Sequence, residues 1–127
     1  MKKLQIRKAQ LKDVEAIAKL HRRTVSEINA TFYPPETIKE WLTDISEENT
    51  KQQFKNSIWI VAEIGNKIIG FGQYSITDRE IYQLNVSPSN LKQGIGKTLY
   101  NYIESDFRKN RKREISINST LNAMAFY

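Results

Sequence analysis

The spacing of apolar residues changes twice along the chain and divides it into a helical opening, a stranded middle and a last part led by one amphipathic helix. Leu4-Gln5-Ile6-Arg7 alternates and predicts a short strand. Val14, Ile17, Ala18 and Leu20, followed by Val25 and Ile28, recur at helical spacing and predict a helix to about Asn29. Thr31-Phe32-Tyr33-Pro34-Pro35 interrupts it, because neither proline can donate a hydrogen bond and each restricts the residue before it. Pro35 suits the first turn of a second helix, Glu36 to about Ile45, that buries Ile38, Trp41 and Leu42. The polar stretch Ser46-Glu47-Glu48-Asn49 then leads into a short helix or turn ending near Asn56.

From Ile58 the pattern becomes that of strands. Ile58-Trp59-Ile60-Val61-Ala62-Glu63-Ile64 is rich in β-branched and aromatic residues, Gly65-Asn66 makes a turn, and Ile68 through Ile76 supplies the partner of a hairpin. Thr77-Asp78-Arg79 turns the chain into Glu80-Ile81-Tyr82-Gln83-Leu84-Asn85-Val86. Its apolar positions Ile81, Leu84 and Val86 break strict alternation midway, which predicts a bulge. Beyond a glycine turn, Ile95, Leu99, Ile103 and Phe107 mark one face of a helix, Ile115 and Ile117 mark another strand, and Leu121 to Tyr127 reads as the start of a helix. Repeats and low-complexity tracts are absent, and the 127 residues read as one mixed α/β domain.

Composition narrows the chemistry. There is no cysteine, hence no disulfide, thiolate metal site or cysteine nucleophile. A lone histidine, His21, argues against a histidine-rich metal site or a Ser-His-Asp triad and reads as a surface or boundary residue. No apolar run approaches a membrane span and Met1-Lys2-Lys3 does not open a signal peptide, so the expectation is a soluble, cytoplasmic, unprocessed protein. Much of the net charge of +6 lies in Arg108-Lys109-Asn110-Arg111-Lys112-Arg113. At a helix end such a run reads as a solvated patch complementing the dipole, or as one that draws in a polyanionic cofactor. A nucleic-acid surface would interleave aromatic residues with the cations, and none are interleaved here.

The most informative stretch is Asn85-Val86-Ser87-Pro88-Ser89-Asn90-Leu91-Lys92-Gln93-Gly94-Ile95-Gly96-Lys97-Thr98-Leu99, a strand entering a helix through glycines. Gly94 and Gly96 allow positive φ and close backbone approach, and the N–H groups at the helix start favour an anion. The alternative is a turn that uses glycine for geometry alone. A Walker A loop would need glycine where Leu91 stands, and a dinucleotide fingerprint would need one at Leu99.

Val86-Ser87-Pro88 followed by Gly94-Ile95-Gly96-Lys97 and an amphipathic helix resembles motif A of the GNAT N-acetyltransferases, whose loop is Gln/Arg-x-x-Gly-x-Gly/Ala. Leu91 replaces the usual Gln or Arg, and Lys92 stands where many members carry glycine. The likeness extends over nearly the whole chain: strand and helix, a Tyr-Pro-Pro break before a Trp-containing helix, hairpin, motif strand, and Asn118 through Tyr127. It implies an α+β fold, a mostly antiparallel sheet flanked by helices and lacking the last two family strands. It also implies acetyl-CoA as co-substrate, an amine of a small molecule or protein as acceptor, and no metal.

By the same resemblance, the amides of Lys92, Gln93, Gly94, Ile95, Gly96 and Lys97 would hold pyrophosphate. Pantetheine would lie along Leu84, Asn85 and Val86 as an added strand, with Asn118 beside it. A backbone N–H near Leu84 or Asn85 would face the acetyl oxygen. Glu80 falls where one branch of the family carries its base, although it also reads as a polar residue entering a strand. Tyr82, placed on the face of Glu80 by the period of two, could orient a water. Tyr127 stands where relatives keep a tyrosine acid, or is a core tyrosine. Relatives continue beyond Tyr127 into two more strands, so the expectation is a homodimer or further sequence completing the site, or else a chain that binds CoA or dimerises without turnover. Acceptor choice would lie in Asn29 to Trp41, where Phe32, Tyr33 and Trp41 could line a pocket or pack as core.

Overall fold

Strand pairing in a computed structural model, described here for residues 3–111 and 116–117, builds one five-stranded sheet whose spatial order follows the chain. The strands are β1 (Leu4–Lys8), β2 (Ile58–Ile64), β3 (Lys67–Ser75), β4 (Glu80–Val86) and β5 (Ser116–Ile117). The first four pair antiparallel, and β5 joins β4 in parallel at Glu80 and Ile81. The parallel pair is separated in sequence by a helix, as a parallel connection requires. Among the described residues, four α-helices accompany the sheet: α1 (Val14–Glu27), α2 (Pro35–Asp44), α3 (Glu47–Gln53) and α4 (Ile95–Lys109).

The sequence pattern accounts for these elements closely. Pro35 begins α2 at a position whose missing N–H would have no helical acceptor anyway. Ser46 caps α3 by accepting from the Asn49 N–H at 3.1 Å. The predicted hairpin is β2–β3, and Gly65 takes the positive φ of its turn.

The two faces of the sheet bury different partners. On one, Ile95, Leu99, Ile103 and Phe107 of α4 pack with Ile60, Tyr74, Ile81, Leu84 and Val86. Full burial of each such side chain is worth about 1.5–3 kcal/mol before chain entropy is counted, so this stripe holds α4 under β4. The approach is close because β3 presents glycine there. A Cβ on Gly70 would lie 3.0 Å from the Asn85 carbonyl oxygen, and one on Gly72 would lie 3.0 Å from Leu84 Cδ2. On the other face, Ile17 and Leu20 of α1 meet Trp59, Val61 and Phe71. Val25 continues into a smaller cluster with Ile38 and Ile45, flanked by half-buried Tyr33, Trp41 and Leu42.

The break in the alternation of β4 is a bulge. Gln73 pairs with Gln83 and Tyr74 with Ile81, so Tyr82 is the extra residue. This lets Ile81 and Leu84, three apart, both face α4, while Gln83 and Asn85 turn toward the α1 side. Among the described residues, no helix is long and apolar enough to cross a membrane. The basic run begins on solvent-exposed Arg108, Lys109 and Arg111, with Arg108 paired to Glu104 at 2.7 Å.

Candidate active site

The turn from β4 to α4 is built as its glycines suggest, with one correction. Gly94 adopts φ +77° at the helix N-cap, whereas Gly96 is a buried residue inside the first turn of α4 and has no positive φ. The second left-handed residue is Lys92, at φ +63°. Such a conformation crowds a Cβ against the backbone, which is why glycine is the easier residue there.

Gly94 offers no side chain to cap α4, and the first turn contains no acidic residue. The amides of Ile95, Gly96 and Lys97 therefore stand at the positive end of the helix, where N–H groups lack intrahelical acceptors. Thr98 is the first to turn inward, donating both its N–H (3.0 Å) and its Oγ1 (2.9 Å) to the Gly94 carbonyl. Lys92, Gln93 and Lys97 are solvent-exposed around this opening. Arg23 of α1 steadies its approach by donating to Ser87 Oγ at 3.1 Å and to Ser89 Oγ at 2.6 Å.

Glu80 is half-buried at the start of β4, paired with Ser75 on one side and Ser116 on the other. Tyr82, as the bulge residue, is not oriented by simple alternation. Its hydroxyl donates to Asp78 Oδ2 at 2.6 Å, and this bond to a carboxylate raises the phenol's pKa above its ordinary value. Leu84 and Val86 are buried against α4. The described pairing of β5 with β4 ends at Ile81. Asn118 and Tyr127, and the predicted terminal helix, lie outside the described residues.

On the opposite face, between α1, α2, α3 and β4, lies a cavity of about 270 Å³. His21, Asn29, Trp41, Asp44, Gln53 and Asn85 supply its polar lining. Asn29 is 2% and Asn85 1% exposed, and the Oδ1 of each has no hydrogen-bond partner. Burial without a partner costs a polar atom about 1–3 kcal/mol, so these two are notable. His21 sits edge-on to Phe71 with ring centroids 5.5 Å apart, and desolvation lowers its pKa to about 4. It is a boundary residue, as its isolation in the sequence suggests, but one that faces a polar cavity.

Tyr33 and Trp41 pack edge to face at 4.7 Å, with Trp41 lining the cavity, while Phe32 is 62% exposed. Of the three aromatic candidates, only Trp41 reaches this space. Sequence reasoning did not single out Asn29 or the side chain of Asn85 as lining it. The available signal was a set of amide side chains, Gln73, Gln83 and Asn85, in the interior of strands whose other interior positions are apolar, aromatic or glycine. Among the described residues, no cluster of three or more His, Asp or Glu residues could hold a metal ion.

Comparison with known proteins follows the same lines. No functionally curated protein matches the sequence. The fold is similar to that of a GCN5-related N-acetyltransferase from Rhodopseudomonas palustris, with a TM-score of 0.86 at 18% identity over 96% of this chain and 76% of that one. It is also similar to PaiA N-acetyltransferase from Thermoplasma acidophilum, solved in complex with coenzyme A, with a TM-score of 0.74 at 25% identity over 85% and 74%. Ribosomal-protein-alanine N-acetyltransferase from Brucella melitensis biovar Abortus 2308 superposes with a TM-score of 0.70 at 14% identity over 98% and 89%. Residues 29–127 match the family model of the acetyltransferase (GNAT) domain, a span that includes the β4–α4 turn and most of the sheet. With the fold, the motif and the family match in agreement, the chain belongs to the GNAT acetyltransferase family.

Proposed function

We propose that the protein is an acetyl-CoA-dependent N-acetyltransferase in which a primary amine, on a small molecule or a protein, attacks the thioester directly. The observation that carries this reading, beside family membership, is the start of α4: an uncapped helix N-terminus behind left-handed Gly94, flanked by Lys92 and Lys97 and free of carboxylates in its first turn. That donor set suits a pyrophosphate. Acetyl-CoA, when bound, supplies a carbonyl carbon open to attack and a thiolate able to leave.

The chain's own residues do the rest. Amides from Lys92 to Lys97 hold the pyrophosphate, and the main chain at Leu84, Asn85 and Val86 lies along pantetheine, with Asn118 beside it. A backbone N–H near Leu84 or Asn85 donates to the carbonyl oxygen, and this bond strengthens as negative charge develops. An alkyl ammonium, with a pKa of about 10, must first lose a proton. Glu80 accepts it, either directly or through a water oriented by Tyr82, whose hydroxyl hydrogen is already given to Asp78 and whose oxygen is left to accept. The C–N bond then forms as the C–S bond breaks, Tyr127 returns a proton to the departing sulfur, and the second proton shed by the acylated nitrogen passes through solvent to restore the tyrosine. A homodimer is the assembly that this reading expects.

Two measurements test the proposal. Acetyl-CoA at about 100 times its dissociation constant should stabilise the fold by about 2.7 kcal/mol in a denaturant titration. Thiol release should then appear with some member of a panel of amines, and Glu80→Gln or Tyr127→Phe should lower kcat about 10²–10⁴-fold. Stabilisation without thiol release from any amine would leave a CoA-binding protein without turnover. Unchanged release in both variants would overturn the residue roles, and sedimentation would show whether the chain dimerises.

A further inference from the structure

The turn that opens onto α4 does not hold its own shape. Between the Asn90 N–H, which donates to the Ser87 carbonyl at 2.9 Å, and the Gly94 carbonyl, which accepts from Thr98, no backbone–backbone hydrogen bond involves Leu91, Lys92 or Gln93. Two residues of this stretch, Lys92 and Gly94, are left-handed. Strained conformations persist where the surrounding structure enforces them. The Gly94 end is fixed by the packing of α4 on the sheet, through buried Ile95 and Leu99. The other end needs a tie of its own.

Arg23 supplies it. Its guanidinium reaches from α1 to the single helical turn Pro88–Asn90 and its N-cap Ser87, and each of its three nitrogens is engaged. Nε donates to Glu27 Oε2 at 2.6 Å, Nη1 to Ser87 Oγ at 3.1 Å and Nη2 to Ser89 Oγ at 2.6 Å. A guanidinium only donates, so both hydroxyls accept, and Ser87 Oγ accepts the Ser89 N–H at 3.3 Å as well. Ser87 is 2% exposed, and its own N–H is bound to the Ile69 carbonyl of β3 at 2.7 Å. Ser89 is exposed. Arg23 therefore clamps an exposed residue of the turn to one anchored in the sheet, while Glu27, one helical turn along α1, fixes the direction of the fork. Among the described residues, no other side chain from outside β4 and α4 hydrogen-bonds to residues 87–94.

We propose that Arg23 is a positioning residue for acetyl transfer: without touching the cofactor, it holds the β4–α4 turn so that the amides of Lys92 through Lys97 already converge where pyrophosphate binds. The proposal rests on the acetyl-CoA reading and adds to it a residue from α1. Preorganisation of this kind is felt as affinity, because a turn ordered in advance loses less freedom when the anion arrives. The fork matters more than the charge. Arg23→Lys keeps the cation and loses the planar set of donors that spans two hydroxyls.

Two measurements on the full chain test this. Without ligand, NMR backbone relaxation should give order parameters of about 0.85 for Leu91, Lys92 and Gln93, falling below about 0.6 in Arg23→Ala while those of β3 stay level. NMR titration then compares CoA with pantetheine, which shares the thiol arm and lacks the pyrophosphate and nucleotide. Arg23→Ala and Arg23→Lys should each weaken CoA about tenfold and leave pantetheine within about twofold of its original affinity. Ser89→Ala, at an exposed site outside the core, should move both readouts the same way by less, so the clamp is still read should Arg23→Ala not fold. Unchanged order parameters in Arg23→Ala, undiminished CoA affinity in Arg23→Lys, or equal weakening of both ligands would overturn the proposal. Should the unaltered chain not bind CoA, the acetyl-CoA reading falls and the role in acetyl transfer falls with it, whereas the order parameters decide separately whether Arg23 holds the turn.

Discussion

Lys92 carries an unusual burden for an exposed lysine. Its φ of +63° costs an L-residue about 1–2 kcal/mol, part of which glycine would recover after its larger unfolded-state entropy is subtracted. Lys92→Gly should therefore raise stability by about 0.5–1 kcal/mol, seen as a higher urea midpoint at unchanged slope. A lower midpoint would mean that the lysine side chain contributes more to the fold than its backbone strain removes. Asn85 shows a second residue-level lesson. Its main chain belongs to the motif strand, yet its side chain belongs to a cavity on the opposite face, and only the second of these depends on its being asparagine.

At the level of elements, the bulge in β4 and the glycines of β3 together decide how the site is arranged. The bulge at Tyr82 rotates the strand so that Leu84 and Val86 anchor α4 while Gln83 and Asn85 turn to the α1 side, where Asn85 Nδ2 donates to Gln83 Oε1. Gly70 lets α4 and β4 approach β3 at the start of the turn. An added methyl there would press within 3.0 Å of the Asn85 carbonyl oxygen and 3.3 Å of Leu99 Cδ1. Since the first of these is backbone and cannot swing aside, Gly70→Ala should cost about 1–3 kcal/mol and weaken acetyl-CoA binding by displacing β4. Thermal unfolding with and without acetyl-CoA measures both effects. A fully stable Gly70→Ala protein would show that β3 and β4 are free to separate.

Acid stability belongs to the whole molecule, and two groups place its windows. His21 has a pKa near 4 when folded and about 6.5 when unfolded, because burial disfavours its charged form. Between those values the unfolded chain binds more protons, so stability falls as pH drops from 6.5 toward 4, by up to about 3 kcal/mol. Asp13 behaves in the same sense, lower on the scale. Its buried carboxylate accepts two hydrogen bonds from Arg7, at 2.8 and 2.9 Å, which holds its pKa below 3.8; the stability it adds is present above that value and lost below it. Urea titrations at several pH values should show both windows, and His21→Gln should flatten the upper one alone. A native protein whose stability is level from pH 6.5 to 4 would contradict the burial of His21.

What the sequence determined by itself is local. Periodicity placed the helices and strands, the broken alternation of Ile81, Leu84 and Val86 located the bulge, and the glycine spacing singled out the β4–α4 turn, because each depends on neighbours within a few residues. The structure alone decided which face each side chain serves and with what. Ser57, Gln73, Gln83 and Asn85 are joined by side-chain hydrogen bonds only because antiparallel register lays β3 between β4 and the residue that enters β2. His21 and Asn29 line the same cavity as Asn85 only because α1 crosses the sheet there. Hydrogen-bond polarity and desolvation are properties of such long-range neighbours, and no one-dimensional pattern carries them.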